Sequence, residues 1–530
     1  MAATDFATCP EIMPGRPRRF FLQIPEQDLT EFRDLVKLSK IGPATWWNKQ
    51  NDLQFGISRE WLVKGKEAWL NVFDWRKHEK RINSFPNFTI DIDDPEAGRL
   101  NIHFLALFSA RNDATPIIFM HGWPGSFIEF LSMMDLLVKR YTPATLPYHI
   151  IVPSLPDYGF SSGPSHDVEL DLEQAARIMN QLMVDLGFSS GYVAQGGDVG
   201  SWLARLMALR FSECKAFHLN VLNLNATDQV SSIDSLPVEE RQHLERSKAW
   251  QNTSMAYAIE HGTRPATIGL VLSSNPLATL AWIGEKLIDW ADDQEPLSLD
   301  TILFMVSFYW FTSTFPRSLY PYRAQVNAPG GLEGFPISKE KPLGYSAFPC
   351  EHFRLPRVWA EQVYPNLMLY KAHSKTLFWL PSISMLIAGD AIYSYTVYLW
   401  LADLLLPALM KIWLSTLDLI DQLGPKTIIP GHSLTLDVFG LSDDLEYSRR
   451  YIKFFQDEIE AKGKDFFTPQ EISDKFNAEF PGLVTPNSAT SATLINVTGE
   501  EFGRGGTRLA RSIDLTSYDD VEQLAGWDLD

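Results

Sequence analysis

The sequence predicts an α/β fold: a mostly parallel sheet with helices on both faces and a helical insertion between its strands. Three observations predict it. Short apolar runs of strand character, Pro116 to Met120 and Tyr148 to Pro156, alternate with helical text from Leu170 to Leu186 and from Ser201 to Phe211. The run GYVAQGGDVG is a strand that ends in a glycine turn leading directly into a helix. Between about Asp228 and Ser346 the strand pattern stops and aromatic-rich helical segments replace it.

Taken in order, residues from Phe21 to about Phe88 read as helical and rich in tryptophan, and Leu100 to Ser109 then alternates like a strand. Each following strand is joined to the next through a helix, the connection a parallel pair requires. After Lys375 the character changes. From about Thr485 the text becomes polar and ends in acidic residues, which predicts a poorly ordered tail.

With 530 residues the chain is too long for one ordinary core. Its net charge of −19, from 46 Lys and Arg against 65 Asp and Glu, argues against nucleic acid or an anionic membrane as partner. Three distant cysteines, Cys9, Cys214 and Cys350, suit a reduced interior without disulfides or a zinc knuckle. The N-terminus lacks the apolar core of a secretory signal. The apolar stretch Val397 to Leu414 contains Asp403, Pro407 and Lys411, so it reads as a partly buried helix rather than a membrane span. The expected location is cytoplasmic.

The strongest local signal is Gly196-Gly197-Asp198-Val199-Gly200. A nucleophile elbow needs small residues around its central side chain, which the turn lifts clear of the sheet edge. A central aspartate can attack an electrophilic carbon and form an alkyl ester. The plainer alternative is a glycine turn with Asp198 as a helix N-cap. Upstream, His121-Gly122-Trp123-Pro124-Gly125 follows a strand and can aim backbone N–H groups into a site. Alone it is an ordinary turn; about 75 residues before an aspartate elbow it is a partner for one.

Together these motifs resemble the microsomal-type epoxide hydrolases of the α/β-hydrolase superfamily, fungal members included, over roughly residues 20–375. VFDWRKHEKRIN followed by LNIHFLALFS resembles that family's N-terminal meander, HGWPG its oxyanion loop, PSLPDYGFS its next strand and loop, and GGDVG its elbow. The resemblance implies that Asp198 is the nucleophile and that the N–H groups of Trp123 and Val199 form the oxyanion hole. It implies that two phenols of the helical cap, Tyr257 and Tyr322, hydrogen-bond the epoxide oxygen, with Tyr309 and Tyr320 close enough in sequence to compete. Glu351, in AFPCEHFRLPRVW, matches the charge-relay acid, although out of context it would read as a surface carboxylate.

The pattern breaks after NLMLYKAHSK. The family's catalytic histidine belongs in a Gly-Gly-His-Phe run, and its position, 27 residues after Glu351, holds Phe378. The following text, TLFWLPSISMLIAGDAIY and then LDLIDQLGPKTIIPGHSLT, resembles the C-terminal part of a metallo-β-lactamase-fold hydrolase, in which Asp390 and His432 match metal ligands. None of the chain's 11 histidines forms the His-x-His pair that such a site also needs, and two ligands do not make a tight zinc site, so no metal is expected. His432, His373 and His352 are the available substitutes for the missing base. A genuine fusion and a misjoined gene model would both give this sequence.

The expected organisation is a meander over 1–110, core over 111–227, cap over 228–346, the end of the core over 347–375, a lactamase-like segment over 376–484 and a tail over 485–530. The expected function is opening of an epoxide to a vicinal diol, without metal or organic cofactor, on a small apolar epoxide, with ester hydrolysis impaired. The alternatives are a non-catalytic or single-turnover epoxide-binding descendant and a metal-dependent hydrolase using the C-terminal segment. A dehalogenase with the same nucleophile is disfavoured by the tyrosine pair. A second copy of the chain is the one macromolecular partner left open.

Overall fold

In the computed structural model, residues 3–373 are described apart from 11–12, 51–52, 225–227, 293–295 and 328–335. Beyond these, it describes 378–380, 385–393, 398–399, 401, 407–423, 427–432, 443–481, 483, 495–496, 498–500 and 502–506. The chain divides into two units at His373/Ser374.

The first unit is built on one nine-stranded sheet. Its strands are Arg18–Arg19 (β1), Asn87–Asp94 (β2), Gly98–Leu107 (β3), Thr115–Met120 (β4), Tyr148–Pro153 (β5), Tyr192–Gly196 (β6), Cys214–Leu219 (β7), Leu343–Ala347 (β8) and Leu367–Ala372 (β9). Their spatial order is β1-β2-β3-β5-β4-β6-β7-β8-β9. The pairings β1/β2, β2/β3 and β3/β5 are antiparallel, and every pairing from β5 onward is parallel. This is the expected mostly parallel sheet, with an antiparallel edge at β1-β2-β3.

The strand β2 falls at the end of a stretch whose expected character is helical. Phe88, Ile90 and Ile92 are buried at alternate positions along it, a period of two that sits directly after the Trp-rich helices. The expected helical stretch 228–346 needs the same kind of correction at its other end. It holds helices from Val238–Ser254 to Tyr320–Asn327, but Leu343–Ala347 pairs with both β7 and β9. In LGYSA only Leu343 and Tyr345 are large, so the run is too short to announce a strand.

The N-terminal helices Glu26–Leu38, Arg59–Asn71 and Trp75–Asn83 grip the buried cap helix Leu299–Phe311. Trp69 donates its indole N–H to Ser307 Oγ at 3.0 Å, Trp75 and Phe32 pack on Phe311, and His78 stacks on Phe304 at 4.2 Å. The tryptophans of the meander therefore bury their rings in the cap.

The second unit, from Ser374, contains Phe378–Leu380 (β10), Met385–Tyr393 (β11) and Thr427–His432 (β12), in the order β10-β11-β12. Pro407 opens the helix Pro407–Leu423 instead of lying inside one, in keeping with proline's missing N–H. Within the segment read as a tail from 485, Ile495 and Phe502 are buried in this unit's core, Phe502 edge-on to Phe455 at 5.1 Å. Residues 507–530 lie outside the described residues. Among the described residues no single helix is long and apolar enough to cross a membrane; the pair Pro265–Ser273 and Pro276–Asp289, bent by 118°, passes that test only when joined.

Replacing Trp69 with alanine removes a buried ring and leaves Ser307 without its donor. The expected loss is about 3–5 kcal/mol of stability to denaturant, whereas Trp69→Phe should lose about 1–2 kcal/mol. A loss below ~1 kcal/mol for the alanine variant would show that the meander does not clamp the cap.

Candidate active site

The strand β6 ends at Gly196 and the helix Val199–Arg210 begins two residues after Gly197, so the chain reverses within Gly197-Asp198. Asp198 takes up the turn at φ 47°, ψ −120°, a region that disfavours a side chain. The flanks show why it must be small there. A Cβ on Gly196 would collide with the Gly200 carbonyl, and one on Gly200 with the carbonyl of Met120. Asp198 stands at the N-cap position of this helix, but its side chain makes no capping hydrogen bond there.

One carboxylate oxygen of Asp198 accepts from the Trp123 backbone N–H at 2.7 Å, and the Val199 N–H also donates to the carboxylate. The sequence-derived oxyanion pair therefore converges on the sequence-derived nucleophile. The loop that supplies Trp123 is braced by His121, whose Nδ1 lies 3.0 Å from the Gly122 carbonyl and whose Nε2 accepts from Leu155 N at 3.2 Å. Burial pushes His121 down to about 4, so it is a neutral strut. Asp198 retains accessible surface, yet its carboxyl is enclosed by protein and burial raises its pKa, opposed by the two N–H groups.

The two cap phenols meet above it. Tyr257 lies in the helix Ala256–Thr263 and Tyr322 in Tyr320–Asn327. These helices approach closely because Gly262 faces Val326 and the Tyr322 carbonyl, and Arg323 ties them by donating to the Gly262 carbonyl at 2.8 Å. Tyr257 stacks on Trp123 at 5.6 Å, Tyr322 stands edge-on to the same indole at 5.5 Å, and the two hydroxyls are hydrogen-bonded to each other. Both phenols are pushed up by burial first and by neighbouring charge, that of Asp198 included. The competing phenols are placed differently. Tyr309 donates to the Gly125 carbonyl at 2.8 Å, and Tyr320 faces the charges of Asp157 and Asp171.

Glu351 follows β8, accepts from the Phe353 N–H at 3.0 Å and is pushed up to about 7 by burial first and Asp198 second. Among the described residues no histidine ring is hydrogen-bonded to Asp198 or to the Glu351 carboxylate. His352 stacks on Trp250 at 4.3 Å and His373 on Phe348 at 4.3 Å. Phe378 lies in β10 of the second unit, beyond the His373/Ser374 division. The backbones of Asp390 and His432 lie in β11 and β12, but their side chains fall outside the described residues. Among the described residues no cluster of His, Cys, Asp or Glu could hold a metal ion.

A family model described as "Epoxide hydrolase N terminus" matches residues 17–130, and one described as "alpha/beta hydrolase fold" matches residues 115–261. A putative epoxide hydrolase of Dothistroma septosporum is 43% identical over 370 residues, covering 69% of this chain and 87% of that protein. The chain belongs to the epoxide hydrolase family. The crystal structure of the Aspergillus niger epoxide hydrolase is 46% identical, with a TM-score of 0.65, over 71% of this chain and 93% of that one. Epoxide hydrolase 1 of Sus scrofa is 28% identical over 67% of this chain.

Sequence reading missed three polar groups of this epoxide hydrolase site. Glu129, in the short helix Phe127–Phe130, is pushed up to about 8 by burial and by Asp198. His261 contacts Trp123, Tyr257 and Tyr322, and Lys286 sits over the Tyr257 ring. Lys286 had a signal: it lies between Ile283 and Leu287 on an apolar helix, where a lysine is out of place.

The raised carboxyls set a pH dependence. Unfolded, Glu351 and Glu129 lose their protons near pH 4.3; folded, they hold them to about 7 and about 8. The contribution of these two carboxyls to stability therefore falls as pH rises across this window, against the opposite contribution of buried histidines such as His121 and His261, which stay neutral below the unfolded value near 6.5. The melting temperature of the wild type relative to Glu351→Gln should therefore fall from pH 5 to about 7. A relative melting temperature that stays constant or rises over that range would refute the assignment.

Proposed function

We propose that this protein opens an epoxide through an alkyl ester on Asp198, the two oxygens of the product ending as a vicinal diol. The observation that carries the reading is the convergence of the Trp123 and Val199 N–H groups on a strained, enclosed Asp198 carboxylate facing two phenols. Asp198 Oδ attacks a ring carbon, and the ring C–O bond breaks as the C–O ester bond forms. The leaving oxygen takes a hydrogen bond, then a proton, from the Tyr257 and Tyr322 pair. Those donors matter most where charge appears, on the oxygen in the transition state. The Trp123 and Val199 N–H groups hold the ester carbonyl and stabilise the oxyanion formed when water adds to it.

Hydrolysis of that ester needs a base for water. In the reading of the sequence as a family member, Glu351 orients a histidine for this task, and Phe378 stands at that histidine's position. We infer that ring opening is intact and ester hydrolysis is slowed. The names of the similar proteins favour epoxide hydrolysis over the binding-only and metal-dependent alternatives. The segment from Phe378 to His432, with β11 and β12 parallel, is compatible with a lactamase-like remnant, a reading that remains our own. The aromatic walls suit a small apolar epoxide.

The test uses the full chain with styrene oxide and counts ring-opened product, both free diol and protein-bound ester. Asp198→Asn should abolish it, and Tyr257→Phe or Tyr322→Phe should each slow it about 10–100-fold. A chelator should change nothing. Ring opening by Asp198→Asn at the native rate would sink the proposal.

A further inference from the structure

The helix Pro276–Asp289 carries Lys286 on its buried face, and only 6% of this residue is accessible. A lysine is rarely enclosed without a reason, since removing its charge from water is costly. Its Nζ lies 5.0 Å from the centroid of the Tyr257 ring and 5.3 Å from that of Trp282. On its other side it is bonded to Glu285, whose carboxylate lies against Gly56 in the N-terminal segment. A further titratable neighbour on the cap is His261, whose Nε2 accepts from Trp282 Nε1 at 3.0 Å. Burial and the Lys286 charge together push His261 down to about 3, so it stays neutral. One positive pole, paired with Glu285, thus also faces the π-system of a site phenol.

We propose that Lys286 is a positioning residue for ring opening, a buried cation that makes Tyr257 a better hydrogen-bond and proton donor to the epoxide oxygen. The inference rests on the Asp198 reading above. A cation over an aromatic face is attracted to its negative quadrupole. When Tyr257 gives up its proton, negative charge spreads from the phenol oxygen into the same ring, and the attraction grows. The interaction is therefore stronger in the transition state than in the ground state, which is the condition for raising a rate. Trp282, held by His261, walls the ammonium in on the second side and keeps it over the ring. No bond to Lys286 forms or breaks; the proton passes from Tyr257 to the departing oxygen.

The test compares wild type, Lys286→Met and Lys286→Arg, each first shown to be folded by its melting transition. Asp198 alkylation plus diol is followed at increasing styrene oxide, giving a maximal rate constant and a half-saturating concentration. The expected result for Lys286→Met is a maximal rate constant about tenfold lower with the half-saturating concentration unchanged. Lys286→Arg, which keeps the charge, should remain within about threefold of wild type. A packing role would make methionine the milder change. Native rates in Lys286→Met, or equal losses in Met and Arg variants, would overturn the inference and leave the proposed function standing. A wild-type protein that opens no epoxide would overturn both.

Discussion

Everything in the site hangs on the backbone of one residue. Asp198 sits at φ 47°, ψ −120°, and a conformation of this kind costs of order 1–3 kcal/mol unless the surroundings impose it. They do so from three sides. The carbonyls of Gly200 and Met120 fill the space a side chain on either flank would need, the helix Val199–Arg210 is buried along nearly its whole length, and the Trp123 N–H holds a carboxylate oxygen. The strain points the aspartate at the cap instead of along the sheet.

The cap is built to meet it. Its two phenol-bearing helices close on Gly262, and both phenols rest on Trp123, the residue whose backbone also holds Asp198. Asp198, the backbone N–H that it accepts from and the two phenols are thus registered through a single tryptophan. The meander contributes from the far side by locking the helix Leu299–Phe311 with Trp69, Trp75 and Phe32. A buried acid such as Glu351 or Glu129 then holds its proton well above the usual carboxylate range because burial disfavours its charged form, with the nearby Asp198 adding to the effect.

What the sequence made legible follows from how local each signal is. The elbow and the HGWPG loop are written in consecutive residues, so Asp198, Trp123 and Val199 could be named together. Tyr257 and Tyr322 needed the resemblance, because an isolated tyrosine in a helix carries no sign of what it faces. The strands Asn87–Asp94 and Leu343–Ala347 escaped notice since one abuts helical text and the other is five residues long. Lys286 and Glu129 depend on contacts across the fold, and His261, though one turn from Tyr257, meets Trp123 and Tyr322 only through the fold. The break after Lys375 was legible as a change of text, and the chain divides into two units two residues earlier, at His373/Ser374.

The central claim is that Asp198 becomes covalently bonded to the substrate. It is tested most directly by mixing the full chain with excess styrene oxide, quenching in acid within seconds, digesting, and weighing the peptide that carries residue 198. The peptide should be heavier by one epoxide, with the added mass on Asp198. An unmodified peptide in a sample where diol is accumulating would contradict it.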